Sequence, residues 1–134
     1  MNIVVRYCSK TKFGNTRRIA EAIADGIGIK AVSIAEEPSL NEKADILFLG
    51  GAPYANIMAP ELKEYTESLD PKLVSKVVLF TTSNWSRRTV LALKKMLKSK
   101  EIYVYDEYFY AHMLNIDGKI EAAKEFGKKM AGIF

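Results

Sequence analysis

One cysteine and one histidine stand in a chain of 134 residues. Cys8 alone excludes an intrachain disulfide framework and any multi-cysteine zinc or iron–sulfur site. His112 alone excludes a histidine metal cluster and leaves little room for histidine acid–base chemistry. No metal is therefore expected. No apolar run approaches the roughly 20 residues of a membrane helix. The N-terminal run from Ile3 is broken at Arg6 with no small-residue cleavage site after it, so no signal peptide is expected. The cytoplasm is the expected location, which suits an unpaired thiol. Neither sign of charge is scarce: 20 basic against 16 acidic residues give +4, a mildly basic chain. That fits an anionic ligand or partner and does not by itself imply nucleic acid. No repeat, low-complexity tract or linker interrupts the chain. At 49% apolar, residues 1–134 read as a single domain able to bury a core.

What is present is an alternation of two hydrophobic periods. Ile3-Val4-Val5-Arg6-Tyr7-Cys8 is short and β-branched, a strand. After a polar stretch, Ile19, Ile23 and Ile27 at steps of four predict a helix over 15–27, with Gly26 and Gly28 as its stop. Residues 29–34 read as a second strand, and residues 38–43 as one helical turn. Ile46-Leu47-Phe48-Leu49, ending at Gly50-Gly51, is the continuous apolar run of a parallel strand covered on both faces. Pro60 suits the first turn of a helix that Leu62, Thr66 and Leu69 continue. Val77 to Phe80 is another buried strand, and residues 87–100 form a helix burying Val90, Leu93 and Leu97. Residues 102–110 are the last strand. Asp117 is expected to cap a final helix through Ala123, Phe126 and Met130.

Strands alternating with helices predict an open α/β sheet with parallel strands and right-handed crossovers. Ligands of such sheets bind beyond the carboxyl ends of the strands, at the switch in strand order. That rule selects three loops: residues 9–16, 51–58 and 81–88. The first reads Ser9-Lys10-Thr11-Lys12-Phe13-Gly14-Asn15-Thr16 and joins a strand to a helix. Hydroxyls, a glycine and an amide at a helix N-terminus suit a phosphate, because backbone N–H groups and the helix dipole point at it. The alternative is a hydroxyl-rich connection with Asn15 as N-cap. No lysine–serine/threonine pair follows a glycine at the spacing of a nucleoside-triphosphate loop. Residues 26–31 match a dinucleotide-binding pattern formally but end a helix instead of opening one.

These residues resemble the flavodoxin family, whose first strand ends in an aromatic residue followed by a Ser/Thr-x-Thr-Gly-x-Thr loop for the phosphate of FMN. Here Tyr7-Cys8-Ser9-Lys10-Thr11 precedes Gly14-Asn15-Thr16, with Lys12-Phe13 as an insertion; a second alignment takes residues 11–16 as the loop. Residues 17–24, 45–54, 77–83 and 122–126 are similar to further segments of the family, so the resemblance spans nearly the whole chain. It implies a doubly wound five-stranded parallel sheet in the order 2-1-3-4-5, with helices on both faces. It implies FMN as cofactor, with Ser9, Thr11, Asn15 and Thr16 on the phosphate and Gly14 allowing close approach. The flavin ring would lie between two loops. One is Ala52, Pro53, Tyr54, Ala55 and Asn56; the other is Thr81, Thr82, Ser83, Asn84 and the single tryptophan, Trp85. Packing of Tyr54 on a helix and a surface role for Trp85 are the competing readings.

The function so implied is electron transfer between redox partner proteins. A small FMN-dependent reductase of a quinone or similar acceptor and a flavin-free binding module are the alternatives. One small domain leaves no obvious nicotinamide site, which favours the carrier. A signalling receiver would need acidic residues where Tyr7-Cys8-Ser9 and Gly50-Gly51-Ala52 stand. Lys10, Lys12, Arg17, Arg18, Arg87 and Arg88 in or just after two of the loops point to acidic partners. Neither nucleic acid nor membrane is expected as a partner, and a monomer or weak homodimer is. Cys8 reads as a small apolar filler, His112 as a surface residue, and the aromatic-rich last strand as a sheet edge.

Overall fold

The computed structural model describes residues 1–9, 14–54 and 57–132. In chain order the elements are β1 (Ile3–Cys8), α1 (Asn15–Ile27), β2 (Ala31–Ser33), β3 (Ala44–Gly51), β4 (Pro53–Tyr54), β5 (Ile57–Met58) and α2 (Pro60–Ser68). They continue with β6 (Val74–Ser83), α3 (Arg88–Ser99), β7 (Tyr103–Val104), β8 (Phe109–His112), a 3-10 turn (Asp117–Lys119) and α4 (Ile120–Met130). The main sheet is parallel, β2-β1-β3-β6, with both β7 and β8 against β6. This is the order 2-1-3-4-5, with its fifth position shared by two short strands.

The uninterrupted last strand expected over 102–110 is corrected by the register. Val77 pairs with Val104 and Phe80 with Phe109, so three steps on β6 face five on the edge. Two extra residues form a bulge, and because the number is even the side chains beyond it keep their faces. Asp106 in the bulge reaches Lys94 of α3 at 3.3 Å.

Alternate residues of the central strands feed two cores. Val4, Leu47, Leu49, Val77 and Leu79 pack beneath α2 and α3, while Val5, Phe48, Val78 and Phe80 pack beneath α1 and α4. Burial of such side chains, each worth about 1.5–3 kcal/mol, holds the layers together. Gly26 is not the stop of α1. It lies inside the helix, where a Cβ would overlap the Lys124 carbonyl of α4, and Gly127 of α4 similarly faces the Ile23 carbonyl. The two glycines let the helix backbones touch. Gly28, at φ 89°, ends α1 in the left-handed conformation.

Two further expectations are corrected. Residues 38–43 form no helical turn; Leu40 is their one buried side chain, too little for an amphipathic face. Asp117 caps neither the 3-10 turn nor α4; its carboxylate pairs with Arg18 of α1 instead. Among the described residues no helix is long and apolar enough to cross a membrane.

Candidate functional site

Cys8, Gly51 and Thr81 are register partners at the carboxyl ends of β1, β3 and β6. The three loops singled out by topology therefore leave the sheet side by side. The Thr81 hydroxyl donates to the Gly51 carbonyl at 2.7 Å and ties two of the exits together. A Cβ on Gly51 would lie 2.7 Å from Leu62 Cδ2, so the glycine lets α2 close on the strand end.

The first loop enters α1 through Gly14, at φ 61° and ψ 43°, a left-handed position that favours glycine. Gly14 is the N-cap and Asn15 the first helical residue. Among the described residues no side chain caps the helix, and its first turn carries no acidic residue. The positive end of the helix dipole is thus turned toward the loop without a carboxylate to neutralise it. Thr16 is buried, and its Oγ1 lies 2.8 Å from Thr82 Oγ1, joining the first and third loops. One hydroxyl of such a pair donates to the other, leaving one proton for a further acceptor. Ser9 Oγ is buried with no hydrogen-bond partner. Thr11, with Lys10 and Lys12, lies outside the described residues.

In the second loop Ala52 and Pro53 are half-buried. Pro53 pairs with Met58 and Tyr54 with Ile57 in a two-stranded antiparallel ribbon of β4 and β5 that the sequence reading did not foresee. Ala55 and Asn56 lie outside the described residues. In the third loop Thr82 and Ser83 are buried, and Ser83 Oγ donates to the Ser86 carbonyl at 2.7 Å. Asn84 is exposed, and Trp85 is 76% exposed at φ 68°. The Trp85 N–H donates to Tyr110 Oη at 2.8 Å, and that hydroxyl donates to the Ser83 carbonyl at 3.1 Å. The indole stacks on Tyr110, centroids 6.3 Å apart at 21°, and tilts against His112 at 4.7 Å.

Tyr110 and His112 stand against Trp85, where the sequence favours a sheet-edge role for the one and a surface role for the other. His112 Nδ1 accepts the Leu114 N–H at 3.1 Å, which leaves Nε2–H to donate to Asn84 Oδ1 at 2.9 Å. The ring is therefore the neutral Nε2–H tautomer. The signal was positional: β8 runs parallel to β6 with Ser83 opposite His112, so its carboxyl end meets the third loop. The basic residues divide. Arg17 is held by Glu21 at 3.0 Å and Arg18 by Asp117, while Arg87 and Arg88 stand exposed at the end of the third loop. Lys10 and Lys12 fall among the residues not described.

No protein-family model and no curated protein matches the sequence. Solved structures do. A flavodoxin from the domain Archaea superposes with a TM-score of 0.79 at 20% identity, over 98% of this chain and 97% of that one. Flavodoxin 1 from Bacillus cereus gives 0.77 at 17% identity, over 100% and 99%. A flavodiiron core from Synechocystis gives 0.67 at 16% identity, over 100% of this chain but 37% of its own. The fold is flavodoxin-like.

Proposed function

We propose that this flavodoxin-like chain binds FMN and carries electrons between redox partner proteins. The observation that carries the reading is the N-terminus of α1 at the carboxyl edge of the sheet, which no described side chain caps and whose first turn holds no carboxylate; the buried, unpartnered hydroxyl of Ser9 opens the same loop. A phosphate satisfies both: it accepts the orphaned hydroxyl and neutralises the helix end. Asn15, Thr16 and Thr11 complete its shell, and Gly14 removes the Cβ that would hold it off. The proton left over in the Thr16–Thr82 pair supplies one more donor.

Ala52, Pro53, Tyr54, Ala55 and Asn56 would flank the ring on one side and Thr81, Thr82, Ser83, Asn84 and Trp85 on the other. The indole of Trp85 offers a flat apolar surface, and Tyr110 and His112 hold it in place. Bound FMN supplies the electron chemistry; the side chains set its affinity, orientation and access. No side chain of this chain needs to transfer a proton. Exposed Arg87 and Arg88 favour acidic partners.

The test is a flavin titration. The purified protein is expected to be yellow and, once stripped, to bind FMN about ten- to a hundredfold more tightly than riboflavin, which lacks the phosphate. Equal affinity for the two would remove the phosphate loop from the reading. No binding of either at micromolar concentration would leave a flavin-free binding module. Oxidation of a nicotinamide cofactor without a protein partner would assign a reductase.

A further inference from the structure

We propose that the outer face of α2 and α3 is an interface between two copies of this chain. The two helices pack side by side on one face of the sheet. Each returns from the carboxyl edge of a parallel strand, so they run in the same direction. They also end at the same level: Lys100 Nζ, just past α3, donates to the Glu67 carbonyl in the last turn of α2 at 2.9 Å. With Ser68 and Ser99 as their last residues, Pro60, Glu64 and Glu67 of α2 stand level with Leu91, Lys95 and Lys98 of α3.

Both trios keep the spacing i, i+4, i+7, so each lies along one side of its helix. That side is the outer one, opposite the buried Leu62 and Tyr65 of α2 and the buried Leu93 and Leu97 of α3. All six residues are exposed. Leu91, at 60%, is the only exposed large apolar side chain on a helix among the described residues. Among the described residues, too, no ion pair engages Glu64, Glu67, Lys95 or Lys98. Lys63 is turned about 100° round α2 from Glu64 and stands off the stripe.

The charges are sorted by helix. Residues 60–68 hold three acidic residues and one basic, whereas residues 84–100 hold six basic residues and no acidic one. A partner of single sign matches half of such a face; a second copy matches both halves. A two-fold axis along the furrow between the helices lays α2 of each copy over α3 of the other, parallel and level. Pro60 then meets Leu91, Glu64 meets Lys95 and Glu67 meets Lys98, and symmetry makes each contact twice. A two-fold across the helices would instead lay acid on acid and base on base, so the charge pattern selects one packing. The face measures roughly 20 Å by 18 Å, two helix diameters by the length of α3. Such a dimer belongs to the small, transient class, and its charges set register more than strength. It uses none of the proposed flavin-site residues and stands whether or not the chain binds a flavin.

Sedimentation equilibrium of the full chain, with and without added FMN, tests the interface. Wild type is expected to associate reversibly into dimers as the protein approaches millimolar concentration. Glu64→Lys/Glu67→Lys and Lys95→Glu/Lys98→Glu should each weaken association about tenfold or more, because each sets like charges face to face twice. An equimolar mixture of the two variants should dimerise as wild type does, since each reversed stripe then meets its complement. All four side chains are exposed, so both variants should fold, and thermal melts check this. A wild-type chain that stays monomeric at millimolar concentration overturns the proposal. So does a dimer that neither variant weakens, or a mixture that stays monomeric.

Discussion

Ser9 and Thr16 both belong to the first loop, yet the structure gives their hydroxyls different employment. Ser9 Oγ is unpartnered, so Ser9→Ala should leave the thermal stability of the flavin-free protein unchanged or slightly higher. It should weaken FMN by about 1.5–3 kcal/mol, the value of a hydrogen bond to a charged group. Thr16 is buried and bonded to Thr82, so Thr16→Ala should lower stability by about 1 kcal/mol and affinity as well. Paired melts and titrations separate the two; a Ser9→Ala protein with wild-type affinity removes that hydroxyl from the phosphate site. Tyr65 carries a pH prediction. Its phenol is raised from 10.0 to about 12 in the folded chain, mainly by burial. Between those values the folded state holds a proton that the unfolded state has lost. The stabilising contribution is complete below pH 10 and disappears as pH rises through 12, with a slope of as much as about 1.4 kcal/mol per pH unit. Denaturant titrations across that range should show Tyr65→Phe losing stability less steeply than wild type.

At the scale of elements, Gly26 separates two influences that sequence cannot weigh. Alanine is the better helix former by roughly 0.5–1 kcal/mol. A Cβ at Gly26, however, overlaps the backbone carbonyl of Lys124, and overpacking costs about 1–3 kcal/mol. Gly26→Ala should therefore lower the melting temperature, and a rise would show that α4 can move aside. The same residue marks the limit of legibility. The span of α1 was readable because Ile19, Ile23 and Ile27 keep helical period, but a glycine inside a helix resembles a glycine that ends one until the neighbouring helix is known. The parallel character of the sheet and the three loops at its carboxyl edge were readable from alternation and handedness, whereas the strand order came from the flavodoxin resemblance. The break between β7 and β8 was not: Asp106-Glu107 interrupts the aromatic run, but a charged pair also fits the solvent side of an edge strand, and only register against β6 exposes the two extra residues. The approach of Tyr110 and His112 to Trp85 was hidden for that reason: it depends on where β8 ends relative to β6, which no local pattern encodes.

Across the whole molecule, charge is sorted as the sheet is ordered. Acidic residues gather in residues 31–70, over β2 and α2, whereas Arg87 and Arg88 stand beside Trp85 after β6. The net charge of +4 conceals this separation, and a partner meets the local field, not the sum. Arg17 and Arg18 each have a carboxylate neighbour, so the exposed pair after β6 dominates among the described loop residues. If electrons leave past Trp85, an anionic acceptor is drawn to the exit and a cationic one is repelled. Stopped-flow oxidation of the reduced, FMN-loaded protein by ferricyanide should slow as salt is raised, because the Debye length falls from about 10 Å at 0.1 M to about 3 Å at 1 M. Hexaammineruthenium(III) should show the reverse dependence. Arg87→Glu/Arg88→Glu should exchange the two behaviours and leave the melting temperature unchanged or slightly higher, since both side chains are exposed, neither makes a capping hydrogen bond, and carboxylates suit the N-terminus of α3. The same substitutions should make the reduction potential more negative, on the order of 30 mV per unit charge at low salt, because the positive charges favour the electron-rich flavin. Rates that ignore salt for both acceptors would mean that electrons exit elsewhere on the molecule, and that acidic partners have no reason to dock beside Trp85.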